Sequence, residues 1–303
     1  MLNETYKGFY SSYAYDYHTY KISTLQAILK NTTDFNDRYL GDDLVGFEET
    51  DFTRFLKSEI RMTCFHAIET LFELIFGLEP SNGKCNDYEL LQVISTSDFR
   101  KNYARIGQMA SNEAEFDFLD IQTPDFGNYP LWMHIFYFAP PNDPEVKKVL
   151  EESNIAIRMF LKEVATTFSN RNEYNAYKHG IRALNMFQEF GMSDLDDSNP
   201  VSFDLNDSMS FFTVEKDKGK VVAQIINTKL FNTNKDIKMT LLCSRLIANI
   251  ILRRKWMFMP EDRKGPLRTY NFPMSEVSDM IRIRPASGGM VADSMTIRTE
   301  VNK

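Results

Sequence analysis

The amino-acid sequence predicts a mainly α-helical protein, a helical bundle with one β-hairpin inserted at about 208–231 and docked on the helices. Three observations carry this prediction. Apolar residues recur at helical spacing through three long segments, 51–78, 146–168 and 235–257. Gly (13) and Pro (11) are few for 303 residues, which favours long regular elements over a loop-rich barrel or sandwich. A single stretch flanks a tight-turn signal, Lys216-Asp217-Lys218-Gly219, with two runs of β-forming residues.

The elements follow in order. Residues 1–20 hold six tyrosines, and the alternation Tyr13-x-Tyr15-x-Tyr17 reads as an extended, strand-like arm, packed over the core or offered as a stacking surface. Residues 18–31 read as a short helix and 32–50 as an acidic loop. Asp51–Leu78 is predicted as a central helix: Phe55, Leu56, Ile60, Cys64, Phe65, Ile68, Leu71, Phe72 and Ile75 cover well over half its circumference, and Gly77 with Pro80 ends it. Two short helices are expected within 86–111, then an irregular aromatic connection over 112–141. Asp143 is a candidate cap for the next long helix, with Pro144 in its first turn.

That helix carries Val146, Leu150, Ile157, Phe160, Leu161, Val164 and Phe168 on one stripe. If it continues through Ser169 and Asn170, then Arg171, Asn175, His179 and Arg182 extend the stripe at about 100° per residue. Asn170 with Glu173 three residues on equally suits the start of a new helix. Ser208–Val214 and Val221–Leu230 form the hairpin, and 235–257 a further helix ending in Arg253-Arg254-Lys255, a cationic run that suits a solvated helix end. Beyond 260 an extended or partly disordered tail is expected. The resulting division is a Tyr-rich arm with a short helix (1–50), a bundle with its hairpin (51–258) and a tail (259–303).

Composition narrows the function classes. The formal charge of −7 disfavours a general nucleic-acid coat, while leaving room for a local basic patch. Three cysteines at irregular spacing, with no secretory signal, suit reduced thiols in a cytoplasmic protein. No stretch of about 18 apolar residues predicts a membrane span. Phosphate-binding P-loop, dinucleotide and nucleophile-elbow motifs are missing, as are C-x-x-C and H-E-x-x-H. None of His18, His66, His134 and His179 follows a Glu by three residues, so neither a metal nor another cofactor is expected.

What remains is Arg171-Asn172-Glu173-Tyr174-Asn175-Ala176-Tyr177-Lys178-His179-Gly180-Ile181-Arg182. His serves as acid or base near neutral pH, Arg and Lys stabilise phosphate charge, and Asn orients a hydroxyl or fixes the His tautomer. Asn175 and His179 equally suit hydrogen bonds to a neighbouring helix, with Glu69 as partner.

The segment Asn175-Ala176-Tyr177-Lys178-His179-Gly180 resembles the polar motif of HEPN-type helical bundles. Cys64-Phe65-His66-Ala67-Ile68-Glu69-Thr70-Leu71-Phe72 is similar to their earlier long helix. Seven residues separate Arg171 from His179, one more than the family's usual spacing, so Asn175, Lys178 and His179 carry the match. The resemblance implies a metal-independent endoribonuclease or an RNA-binding module in stress or antiviral defence. His179 is then the acid/base, Arg171 or Arg182 the phosphate clamp, Asn175 and Lys178 the orienting groups, and Glu69 their carboxylate partner. The alternative is a non-catalytic, homo-oligomeric scaffold or interaction module that meets protein partners through the Tyr-rich arm or the tail.

Overall fold

The computed structural model describes residues 2–40, 49–81, 84–123, 128–137, 140–169, 171–178, 183–184, 187, 189–192, 201–262, 269–284 and 294–300. The chain is mainly α-helical, with small antiparallel sheets. Two helices open it, α1 (Leu2–Ser12) and α2 (Tyr17–Lys30), followed by the single turn α3 (Thr32–Phe35), which runs into a π-turn at Asn36–Leu40. The central helix is α4 (Glu49–Gly77), and α5 (Leu90–Ser95) and α6 (Phe99–Ser111) follow it. A 3-10 segment, Glu113–Asp120, leads to the short pair β1 (Gln122–Thr123) and β2 (Tyr129–Pro130), then to α7 (Leu131–Tyr137) and α8 (Pro144–Phe168). Next come α9 (Arg171–Lys178), β3 (Ala183–Leu184), β4 (Glu189–Met192), β5 (Val201–Asp204), β6 (Ser208–Asp217) and β7 (Lys220–Leu230). The chain continues with α10 (Thr233–Phe258), α11 (Met274–Arg282) and β8 (Ser294–Glu300).

Two compact units emerge, and they cut across the three-part division read from sequence. The first comprises Met1–Lys21, Phe65–Ser169 and Lys238–Arg282; the second comprises Ile22–Cys64, Asn170–Ile237 and Ile283–Lys303. Three of the five boundaries fall inside α2, α4 and α10, so these helices contribute residues to both units.

In the first unit α8 is the organising helix, packed against α6 and α11. Its start follows the capping prediction: the Asp143 carboxylate accepts from the Glu145 N–H at 2.9 Å, with Pro144 in the first turn. Leu150, Ala156, Ile157, Phe160, Leu161, Val164 and Phe168 are buried, whereas Val146, in the opening turn, is exposed. Phe168 meets Phe65 and Tyr103 with ring centroids 5.9 and 5.7 Å apart. Gly77 admits a close approach of α5: a Cβ there would lie 2.8 Å from Leu90 Cδ1.

The predicted Tyr arm is not a strand: it is helical over Leu2–Ser12 and again from Tyr17, with a turn at Tyr15-Asp16 between. Tyr6 and Tyr10, one turn apart on α1, are buried, and that i,i+4 spacing outweighs the local alternation. Tyr10 stacks on Phe258 at 5.2 Å. The tail is likewise structured where it is described: α11 buries Val277 and Met280, and β8 pairs with β7. An open edge of β7 supplies the hydrogen-bond partners that an isolated tail segment lacks.

In the second unit the hairpin has the predicted position. Ser208 pairs with Leu230 and Asp217 with Lys220, and the turn places Lys218 at φ 45° and Gly219 at φ 83°, the left-handed values a two-residue hairpin needs. It belongs to a four-stranded antiparallel sheet in the order β3-β6-β7-β8, and β3 and β6 pack on α9. The stretch expected to be an acidic loop is helical over Thr32–Leu40. Asp194–Asp197 and the rest of the expected loop lie outside the described residues.

Candidate functional site

The α8 helix does not run on into the Arg171–Arg182 stretch. It ends at Phe168, where the Ser169 hydroxyl donates to the Thr166 carbonyl at 2.7 Å, and α9 starts afresh at Arg171. Ser in this setting competes with the helical backbone for its hydrogen bonds. Of the two readings of this stretch, the structure has the new helix, and the stripe of Arg171, Asn175, His179 and Arg182 as a continuation of α8 is corrected. Among the described side chains of α9 (173–177), Glu173, Tyr174 and Ala176 are buried, while Asn175 is half-buried. The side chains of Arg171 and Lys178, and the whole of His179 and Arg182, lie outside the described residues.

What anchors α9 is an ionic cluster in the second unit. Arg61, in the apolar run of α4, donates from Nε to Glu173 Oε1 at 3.0 Å and from Nη1 to Asp236 Oδ1 at 2.7 Å. Lys229 Nζ meets Glu173 Oε2 at 3.1 Å, and the Arg61 guanidinium lies 5.8 Å from the Phe231 ring centroid. Burial pushes the Glu173 carboxyl upward, but the Arg61 and Lys229 charges outweigh it and hold Glu173 below the usual range. At Asp236 burial wins over Arg61, and the carboxyl is raised. Tyr177 is driven well above its ordinary value by burial and then by Glu173.

The sixth predicted residue, Glu69, belongs to the first unit. It lines a cleft of about 370 Å³ with Tyr13, Ala14, Tyr17, His18, His66 and Thr70. Burial, then the nearby His66 and Lys21, lowers the His18 imidazole to about 4, so it is neutral at pH 7. A larger groove of about 630 Å³ has Phe116, Ile155 and Met159 among its apolar lining and carries the ion pairs Arg158–Asp120 and Lys162–Glu113.

A second buried cluster, also in the first unit, went unread in the sequence. Asp87 Oδ2 lies 2.7 Å from His134 Nε2, and Asp87 Oδ1 lies 2.8 Å from Arg254 Nε; the three residues are fully buried. Arg254 also donates to the carbonyls of Ile135 at 3.1 Å and Ile250 at 3.0 Å. The Tyr10 hydroxyl donates to the Asp87 carbonyl at 3.2 Å. Burial raises the Asp87 carboxyl, and Arg254 and His134 more than reverse this, leaving it below the usual range. Arg254 is thus no solvated helix-end cation. Its signal was positional: it follows Leu246 and Ile250 at intervals of four along the buried face of α10. His134 had a signal too, as the one basic group in Leu131-Trp132-Met133-His134-Ile135-Phe136-Tyr137.

The Cys85 sulfur, Asp87 and His134 bring their polar atoms within 4.8 Å of one another. Arg254 already neutralises Asp87, and a divalent cation would add charge beside a buried guanidinium, so the group is not read as a cation site. Comparison with protein-family models, with curated proteins and with solved structures gives no match for this chain. No helix among the described residues is long and apolar enough to cross a membrane.

Proposed function

We propose that the chain is a HEPN-like helical protein that binds RNA and cleaves it without a metal, acting in stress or antiviral defence, with α9 as its working platform. The observation that supports this reading is the anchoring of α9. Glu173, in its first turn, is held by Arg61 and Lys229, so the helix that carries Asn175 and Lys178 and leads into His179 has a fixed base. Positioning groups need such rigid support to act on a phosphodiester. In this reading His179 transfers protons at the 2′-hydroxyl or the leaving oxygen, and Arg171 or Arg182 takes the phosphate charge.

The test is degradation of single-stranded RNA in excess chelator by the wild-type chain and by His179→Ala. A loss of about a hundredfold is expected for general acid–base catalysis. Equal rates in the two would remove His179 from the mechanism. RNA retention by a folded, inactive His179→Ala variant would mark a binding module whose catalysis depends on that residue.

A second reading has its own observation. In the second unit Tyr39, Phe35, Phe52 and Phe55 form a chain of rings with centroids 5.0, 5.8 and 6.3 Å apart, and Tyr39 and Phe55 are 70% and 52% exposed. An exposed aromatic surface of this kind suits a protein contact. Sedimentation of the wild-type chain and of Phe55→Ser would show a self-associated species dispersed by the substitution if a second copy docks there.

A further inference from the structure

We propose that Cys85 is an activated thiol, with His134 as its proton acceptor and Asp87 as the group that positions His134, and that it forms mixed disulfides with low-molecular-weight disulfides. The three cysteines differ in access: Cys64 and Cys243 are buried, and Cys85 is part-exposed. Its sulfur and a ring nitrogen of His134 lie within 4.8 Å, and Asp87 holds the imidazole through Nε2 at 2.7 Å. Nucleophile, base and orienting carboxylate are the three parts an activated thiol needs.

Charge balance favours this state. Arg254 and Asp87 cancel, so moving the Cys85 proton to His134 creates a second neutral pair, thiolate and imidazolium, in the same buried cluster. The surrounding groups are Arg254 from α10, Tyr10 from α1 and Tyr129 from β2. Tyr129 is pushed up to about 12, first by burial and then by Asp87 and Cys85, so it stays neutral through the working pH range. Tyr10 is raised further by burial, with Arg254 opposing and Asp87 adding to the effect. Neither phenol competes for the proton.

The step balances. The Cys85 thiolate attacks one sulfur of the disulfide, and a new S–S bond forms as the old one breaks. The electron pair leaves on the departing sulfur, which takes the proton that His134 had received from Cys85. One disulfide is consumed; one mixed disulfide and one free thiol result. With the other two cysteines buried, Cys85 is the residue that carries the adduct.

The experiment uses the full chain, first without and then with chelator. Alkylation of Cys85 by iodoacetamide is followed by peptide mass spectrometry from pH 5 to 9, and glutathione disulfide is then supplied as the exchange partner. At pH 6.5 Cys85 is expected to react about tenfold faster than glutathione thiol in the same buffer, with a midpoint below the ordinary ~8.5. Cys64 and Cys243 should stay unmodified, and Cys85→Ser should abolish the glutathione adduct. A Cys85 midpoint at or above the ordinary value overturns the proposal, as does reactivity that appears only after a chelator strips a bound ion. His134→Gln should melt cooperatively at a lower temperature, since a buried partner of Asp87 is changed, and should restore an ordinary midpoint; a low midpoint persisting in that folded variant removes His134 from the role. Should His134→Gln fail to fold, the wild-type profile decides by itself.

Discussion

The Arg61 and Arg254 clusters meet one problem, a guanidinium buried on a long helix, in two ways. Arg61 faces two carboxylates, Glu173 and Asp236, with Lys229 adding a second cation. Arg254 faces one carboxylate, Asp87, and spends its remaining donors on the carbonyls of Ile135, Ile250 and His134. Burial, with Glu173 adding to it, leaves Asp236 raised against the pull of Arg61, whereas the single carboxylate beside Arg254 and His134 is lowered. Near-neutral charge is common to both. The difference lies in where strain remains: Asp236 keeps an uncompensated burial cost and Asp87 does not.

The largest expected effect is at Arg254. Arg254→Met strands Asp87 and three backbone carbonyls, and a loss of about 3–5 kcal/mol is expected, the range for breaking a buried pair. Arg61→Met should cost less at low pH than at pH 7, because Asp236 and Glu173 can then take up protons in the fold. Denaturant unfolding of both variants at pH 5 and 7 checks this. A pH-independent Arg61→Met, or one costlier than Arg254→Met at pH 5, would break the comparison.

Next are the neutral isosteres. Asp87 has a lowered folded value, so its stabilisation is present above the ordinary value of 3.8 and is lost as pH falls through the folded value. Asp236 has a raised value, so its contribution is fully present only below 3.8 and is lost as pH rises through the folded value. At pH 7, Asp87→Asn should therefore destabilise by about 2–4 kcal/mol, and Asp236→Asn by about 1 kcal/mol or less. Equal costs would show that the two carboxylates carry the same strain.

His18 sharpens the acid limb. Its folded value of about 4 lies below the ordinary 6.5, so its contribution is whole above about 6.5 and lost as pH falls toward 4. At about 1.4 kcal/mol per unit, up to about 3 kcal/mol is at stake. His18→Gln should flatten the stability curve between pH 6.5 and 4; an unchanged slope would exclude His18 as its source. The smallest effect is at Lys229, 23% exposed at its side chain: Lys229→Met should cost about 1 kcal/mol, and 1 M salt should shrink the difference.

Much of the fold was legible because it rests on local pattern. The apolar face of α4, the Asp143-Pro144 start of α8 and the Lys218-Gly219 turn each follow from spacing or backbone preference within a few residues. The candidate site was legible only in part. Glu69 does line a cleft, but among the described side chains of α9 the buried charged one is Glu173, and Asn175 is half-buried. The sequence left two readings at Ser169–Glu173, and the structure has the new helix: a local hydrogen bond at Ser169 ends α8 and α9 starts at Arg171. Arg61 was visible as a polar exception in an apolar run, yet its partners lie 112 and 175 residues away.

The sequence by itself determined that the chain is mainly helical, where its long helices run and where its hairpin turns, since those depend on period and turn chemistry. Only the tertiary structure decided which charges are buried and with whom. Arg254 sits in a run that reads as solvent-facing, and Asp87 in a polar loop sequence; their pairing needs Cys85-Asn86-Asp87, α7 and α10 to converge. A buried ion is tolerated only when its partners arrive from distant segments, and no local pattern records that arrival.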